Sequence, residues 1–208
     1  MCEVRKILSR FCPKAHLLVI SNPVNSTVPI AYETLRRCGV ESPSVYGITT
    51  LDSVRATTFL AEKQKRSLEE VQAVKVIGGH SGNTIIPLLG ETLDDTILQR
   101  IQYGGDEVVK AKAGGGSATL AMAYAAFRFF QNFQARRSPL IAFVKIAEWK
   151  SLGYPTEYFA TEIDLNQDGT LKKVHPIPSI NEAEKKLLEK AVPELQKDIA
   201  KGISFATS

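Results

Sequence analysis

The sequence predicts an α/β fold that changes character partway. A short piece of a doubly wound parallel sheet, up to about residue 50, leads into an α+β domain. Three observations carry this. Apolar runs at residues 16–21 and 45–49 alternate with helical segments, a strand–helix–strand–helix rhythm that requires βαβ units and a parallel sheet. Farther on, short strands are expected at 74–77 and 84–89, and those at 140–146, 157–165 and 171–174 fall close together, which suits antiparallel pairing. Finally, 208 residues at 44% hydrophobic and 23% charged suffice for one substantial core with an ordinary mixed surface.

Taken in order, Val4, Ile7, Leu8 and Phe11 have helical spacing and predict a first surface helix. The run HLLVIS at 16–21 reads as a buried parallel strand. A helix over 26–38 follows, with Pro29 tolerated in its first turn and Gly39 as its stop. The strand 45–49 feeds a helix over 51–64, and Ser67 with Glu70 forms a capping box on a short helical turn. Glycine-rich GGHSG (78–82) separates the next two short strands. Helices are expected at 93–102 and 106–113, and a long one at 117–136, apolar on most sides and therefore central. Ser179 and Glu182 box the start of a final amphipathic helix, with Pro193 placed to kink it.

Several function classes drop out. The net charge is only +4, with basic and acidic residues interspersed, so no clustered basic surface for nucleic acid is present. No apolar run approaches the ~20 residues that span a bilayer, and the N-terminal MCEVRKILSRFCPK is too polar for a signal peptide. Cys2, Cys12 and Cys38 are odd in number and lack CxxC spacing, which fits reduced thiols inside a cell. Asp164, Asn166, Asp168 and Gly169 open like a calcium loop, but its twelfth position is His175, where a bidentate Glu is required. A hairpin turn on Asp168-Gly169 is the better reading.

Four clusters carry chemistry. Asn22 follows the strand at 16–21 directly, at the carboxyl end of a parallel sheet, where such sheets place ligands; locally it also reads as an Asx-turn before Pro23. Asp52 and Arg55 share a face near a helix start, which suits a site or an ordinary cap with a surface ion pair. His80 sits among Gly78, Gly79 and Gly82, where backbone can approach a ligand closely, although a lone loop histidine can equally be a solvated side chain. Gly114, Gly115 and Gly116 lead through Ser117 into a helix whose free N–H groups could face an anion. The spacing is not G-x-G-x-x-G, and a flexible loop with an N-cap at Ser117 explains it equally well.

Together the clusters say more. ISNPVNS (20–26), TTLDSVRA (49–56), IGGHSGNTIIPL (77–88) and VVKAKAGGGSATLAMAYA (108–125) stand in the order and spacing of the NAD-dependent malate dehydrogenases. The chain resembles the mitochondrial and bacterial branch of that family over essentially its entire length. The resemblance implies a C-terminal remnant of a Rossmann-type parallel sheet, the NAD-binding domain, over 1–50. The lactate/malate dehydrogenase C-terminal α+β domain, which binds substrate, would cover 51–208. It implies NAD as cofactor, malate and oxaloacetate as substrates, and a homo-oligomer, a dimer in the family's manner. The mitochondrion is the implied compartment, with the cytoplasm or a peroxisome-like organelle as alternatives.

By position, the resemblance makes His80 the general acid/base and Asp52 its carboxylate partner. Arg55 clamps the substrate carboxylate, and Asn22 contacts substrate and nicotinamide ribose. Ile20 and Ser21 contribute backbone to the cofactor site, and Met122 lies against the nicotinamide. These residue types suit the chemistry. A base titrating near pH 7 serves both directions, a carboxylate on the other ring nitrogen fixes the tautomer, and a guanidinium fork binds a carboxylate bidentately. The family also uses a Gly-rich dinucleotide turn, an acidic residue for the adenosine ribose and a mobile loop with two arginines, none of which occurs within these 208 residues. The expectation is therefore a truncated chain, inactive alone. The alternatives are a non-catalytic fragment or interaction module, and a lactate-type 2-hydroxy acid dehydrogenase, which ISNPVNS and GGGSATLAMAYA disfavour.

Overall fold

The structure, a computed structural model, describes residues 10–208. Of the expected first helix, Val4, Ile7 and Leu8 lie outside the described residues, and Phe11 is exposed. Cys12 and Cys38 are free thiols, and Cys2 is not among the described residues.

Leu17–Val19 (β1) and Val45–Gly47 (β2) pair in parallel with Leu17 opposite Val45, as the strand–helix rhythm requires. Between them runs α1 (Val24–Arg37). It starts two residues earlier than expected, behind Pro23, so Pro29 falls in the second turn and not the first. The helix accepts it because a neighbour packs there: Gly202 of the last helix lies so close that a Cβ on it would meet the Ser26 carbonyl oxygen at 2.4 Å and Pro29 Cβ at 3.0 Å. The α2 helix (Thr50–Gln64) follows β2. The Ser67–Glu70 capping box forms on a single 3-10 turn.

The remaining strands are antiparallel. They are β3 (Val76–Gly78), β4 (Ile85–Pro87), β5 (Leu140–Lys145), β6 (Tyr158–Leu165) and β7 (Leu171–Val174). All seven join one sheet in the order β1-β2-β5-β6-β3-β4, with β7 also on β6. The turn between β6 and β7 is the expected hairpin: Gly169 has φ 88°, and Asp168 Oδ1 accepts from the Thr170 N–H at 3.0 Å. No cluster of three metal-ligating side chains occurs among the described residues.

Three helical expectations need correction. The two helices expected at 93–102 and 106–113 are one, α3 (Asp95–Ala111), which continues through Gly104 and Gly105. Each glycine costs a helix ~1 kcal/mol, yet here both lie under the Arg55 side chain, which comes within 3.6–3.7 Å of where a Cβ would sit. The long helix is α4 (Thr119–Gln134), capped at Ala118 and not at Ser117. It is not central: Ala125, Phe129 and Phe133 are buried, whereas Leu120, Tyr124, Phe127 and Phe130 are exposed. The last helix, α5 (Glu182–Thr207), is boxed by Asn181 and Glu184, two residues beyond the expected pair, and carries Pro193 within it.

Two apolar clusters hold these elements. The larger joins the sheet to α1, α4 and α5 around Phe129, Phe143, Phe159 and Leu195. The smaller lies between α2, α3 and β3–β4, around Ala56, Ile85 and Ile101.

Candidate functional site

Asn22, Asp52, Arg55, His80 and Met122 line one cavity of about 360 Å³, together with Ser81, Gln102, Asp106 and Ser117. These five come from four stretches of chain. Asn22 ends the link from β1 into α1, where the Asn22–Pro23 peptide is cis. Asp52 lies in the first turn of α2 and Arg55 one turn later. His80 sits between β3 and β4, and Met122 in the first turn of α4. Ile20 and Ser21 do not line the cavity: Ile20 packs against the larger core, and the Ser21 carbonyl accepts from the Thr27 hydroxyl at 2.8 Å.

Asp52 is fully buried and accepts a 2.5 Å hydrogen bond from His80 Nδ1 at its Oδ2. A buried carboxylate is costly unless compensated, and its place at the α2 N-terminus puts it at the positive end of the helix dipole. Its Oδ1 has no hydrogen-bond partner among the described residues, so the imidazole is its one side-chain partner there. The His80 side chain is 11% exposed. Burial disfavours its charged form, but the charge and hydrogen bond of Asp52 more than offset this and raise its pKa; Arg55 pulls the other way. With Nδ1 held as the donor to a carboxylate, Nε2 is left unbonded among the described residues, on a side chain that lines the cavity.

Arg55 makes no ion pair among the described residues. Its guanidinium rests on Gly104 and Gly105 of α3 and is close enough to His80 to oppose its protonation. An unpaired, half-buried guanidinium beside a carboxylate-bonded histidine can take an anionic group. Lys112 and Ser117 close the glycine-rich loop onto itself, through a 2.8 Å bond from Lys112 Nζ to the Ser117 carbonyl.

The glycines around His80 serve a different purpose from the one expected. Gly78 has φ +100°, and a Cβ on Gly79 would meet Thr84 Oγ1 at 2.5 Å and Asn25 Oδ1 at 2.7 Å. The close approach is to the protein's own buried side chains. Sequence reasoning passed over Asn25, and also Gln102 and Asp106, which lie one turn apart on α3 and line the cavity. For the α3 pair the available signal was an i, i+4 polar pair on an otherwise amphipathic helix. For Asn25 it was an amide just inside a helix start.

Comparison with known proteins follows the same lines. Residues 49–206 match the lactate/malate dehydrogenase alpha/beta C-terminal domain. The chain is 45% identical to the mitochondrial malate dehydrogenase of Saccharomyces cerevisiae, over 94% of this chain and 62% of that protein. With the Rattus norvegicus mitochondrial enzyme the identity is 42%, over 95% of this chain and 61% of that one. It thus spans about three fifths of the length of the curated relatives it matches. The fold is shared with the crystal structure of Cryptosporidium parvum malate dehydrogenase at a TM-score of 0.80 and 22% identity, covering 97% of this chain and 68% of that one. For the apo malate dehydrogenase from Picrophilus torridus the TM-score is 0.77, at 22% identity over 98% and 66% of the two chains. The chain belongs to the lactate/malate dehydrogenase family, and its residues 49–206 are that family's alpha/beta C-terminal domain.

Proposed function

We propose that this chain supplies the acid/base and substrate-carboxylate machinery of an NAD-dependent malate dehydrogenase, which oxidises L-malate to oxaloacetate. The observation that carries the reading is the buried Asp52–His80 pair opening on a cavity that also holds an unpaired Arg55. His80 Nε2 takes the hydroxyl proton of malate as the hydride leaves the same carbon, and returns it in the reverse direction. Asp52 keeps the proton on Nδ1 and stabilises the imidazolium that results. Arg55 binds the carboxylate next to the reacting carbon through its fork, and Asn22 contacts substrate and ribose.

NAD, when bound, supplies the hydride acceptor at C4 of its nicotinamide. The residues present fit that end of the cofactor. Asn22 stands at the carboxyl end of parallel β1 and Met122 lines the same cavity; Ile20 and Ser21, which do not line it, would contribute backbone only beyond its edge. In this reading residues 1–50 are the end of the NAD-binding domain and 51–208 the substrate domain. The stripe of Leu120, Tyr124, Phe127 and Phe130 on α4 supports a homo-oligomer, a dimer in the simplest case. A mitochondrial location is supported by the names of the relatives given above. No helix among the described residues is long and apolar enough to cross a membrane.

The test joins this chain to the NAD-binding part of a mitochondrial relative and follows NADH oxidation with oxaloacetate or pyruvate. Oxaloacetate turnover that falls by about 10³-fold or more in His80→Asn, with NADH binding retained, is the expected result. A His80→Asn enzyme that keeps most of its activity overturns the assignment of the base, and a preference for pyruvate overturns the malate reading in favour of a lactate-type enzyme. The 208-residue chain alone is expected to give negligible turnover, since it spans only 62% of its yeast relative.

A further inference from the structure

Asn25 is one of the few polar side chains with no solvent exposure, and every atom of its amide is used. Its Oδ1 accepts from the His80 backbone N–H at 2.8 Å. Its Nδ2 donates to Ser81 Oγ at 2.9 Å, to Thr84 Oγ1 at 3.2 Å and to Asp198 Oδ2 at 3.2 Å. Asp198 lies on α5, where its own carbonyl accepts from the Ser26 hydroxyl at 2.8 Å and its Oδ2 lies 3.5 Å from Ser81 Oγ. Two helices far apart in sequence thus meet beneath the histidine loop.

The polarity of this arrangement is forced. An amide has a donor end and an acceptor end, whereas a carboxylate only accepts and a backbone N–H only donates. Turning the Asn25 amide over would set Oδ1 against the Asp198 carboxylate and Nδ2 against the His80 N–H, two repulsive pairs in a buried site. The charged acceptor also makes the correct orientation the stronger one. His80 is then fixed at two points, its backbone by Asn25 and its Nδ1 by Asp52, which aims Nε2 without further contacts.

Resting on the reading of His80 as acid/base, we propose that Asn25 is a positioning residue for His80, and that Asp198 of α5 sets the orientation of its amide. The C-terminal helix then belongs to the machinery of the site, although of the two only Asn25 bonds His80 itself.

The test exchanges the two groups. Asn25→Asp places two carboxylates together, and Asp198→Asn removes the acceptor that orients the amide. The double variant restores complementarity, because a carboxylate at 25 still accepts from the His80 N–H while an amide at 198 donates to it. The Ser81 and Thr84 hydroxyls can rotate to donate as well. The readout is the ¹H–¹⁵N imidazole spectrum of the 208-residue chain, with the His80 signals assigned by His80→Asn. It reports both the tautomer and the titration midpoint.

In the native chain His80 should be the Nδ1–H tautomer, with a midpoint above the ordinary value of about 6.5. Each single variant should mix the tautomers, Asp198→Asn should also bring the midpoint back toward that value, and the double variant should recover the native tautomer. Folded single variants with unchanged His80 signals overturn the proposal while leaving the Asp52–His80 pair standing. If the singles fail to fold, the double variant decides: a native tautomer supports the proposal, and an altered tautomer or an unfolded chain overturns it. A native chain whose His80 titrates as an ordinary, solvated histidine overturns both this proposal and the reading on which it rests.

Discussion

The first turn of α1 and the outer face of α4 treat their side chains in opposite ways. On α1, Asn25, Ser26 and Thr27 are polar and buried, and each finds its hydrogen bonds within the chain. On α4, Leu120 is 87% exposed and Phe127 57% exposed, with Tyr124 and Phe130 beside them. Buried polar groups survive mainly when paired, and the first turn of α1 finds its partners within the chain. A contiguous exposed apolar stripe marks a surface that associates. The Asp52–His80 pair is therefore a property of this chain's own folding, whereas α4 presents a face whose energetic value depends on what covers it.

The sharpest way to break this comparison is at the acid/base pair. In the enzyme completed with an NAD-binding half, Asp52→Asn should lower kcat by on the order of 10⁴-fold, since an amide there no longer selects the Nδ1–H tautomer. Stopped-flow measurement with near-native activity would show that the buried carboxylate is structural only. Next in size is a contrast within α4. Phe129→Ala, on the buried side, should cost about 3–5 kcal/mol in urea denaturation of the chain. Phe127→Ala, on the exposed side, should change it by less than ~0.5 kcal/mol. Phe127→Glu should instead shift the light-scattering mass toward monomer. Equal costs for the two alanines would mean that both faces of α4 are buried in solution.

Smaller still is Asn25→Ala, which leaves the His80 N–H without its acceptor and takes one donor from the Asp198 carboxylate. The expected loss is about 1–3 kcal/mol by urea denaturation, and a neutral result would show that solvent reaches the network. The smallest effect is with pH. The His80 pKa is raised on folding, so its contribution to stability is fully present below about 6.5 and is lost as pH rises through the folded value. Denaturation of the native chain and of His80→Asn across that interval should show the native advantage shrinking with rising pH. An advantage that grows instead would reverse the sign assigned to the Asp52 interaction.

What the sequence by itself determined is local or periodic. The parallel β1–β2 pair, the capping box at Ser67–Glu70 and the Asp168-Gly169 hairpin follow from short-range rules that nothing distant contradicts. Asn22, Asp52, Arg55 and His80 were legible because their motifs have a family spacing, and they do meet in one cavity. The tertiary structure alone decided four matters. Two overlapping capping boxes compete at the start of α5, and Asn181–Glu184 wins over Ser179–Glu182 where Glu184 also accepts from the Gly90 N–H. Gly104 and Gly105 look like a helix break until Arg55 is laid across them. An apolar helix such as α4 does not encode whether all its faces are covered, because that depends on surfaces the sequence window cannot contain. Asn25 reads as an ordinary polar residue at a helix start, and becomes a fixed point for His80 only when α5 brings a carboxylate, 173 residues away in sequence, against its amide.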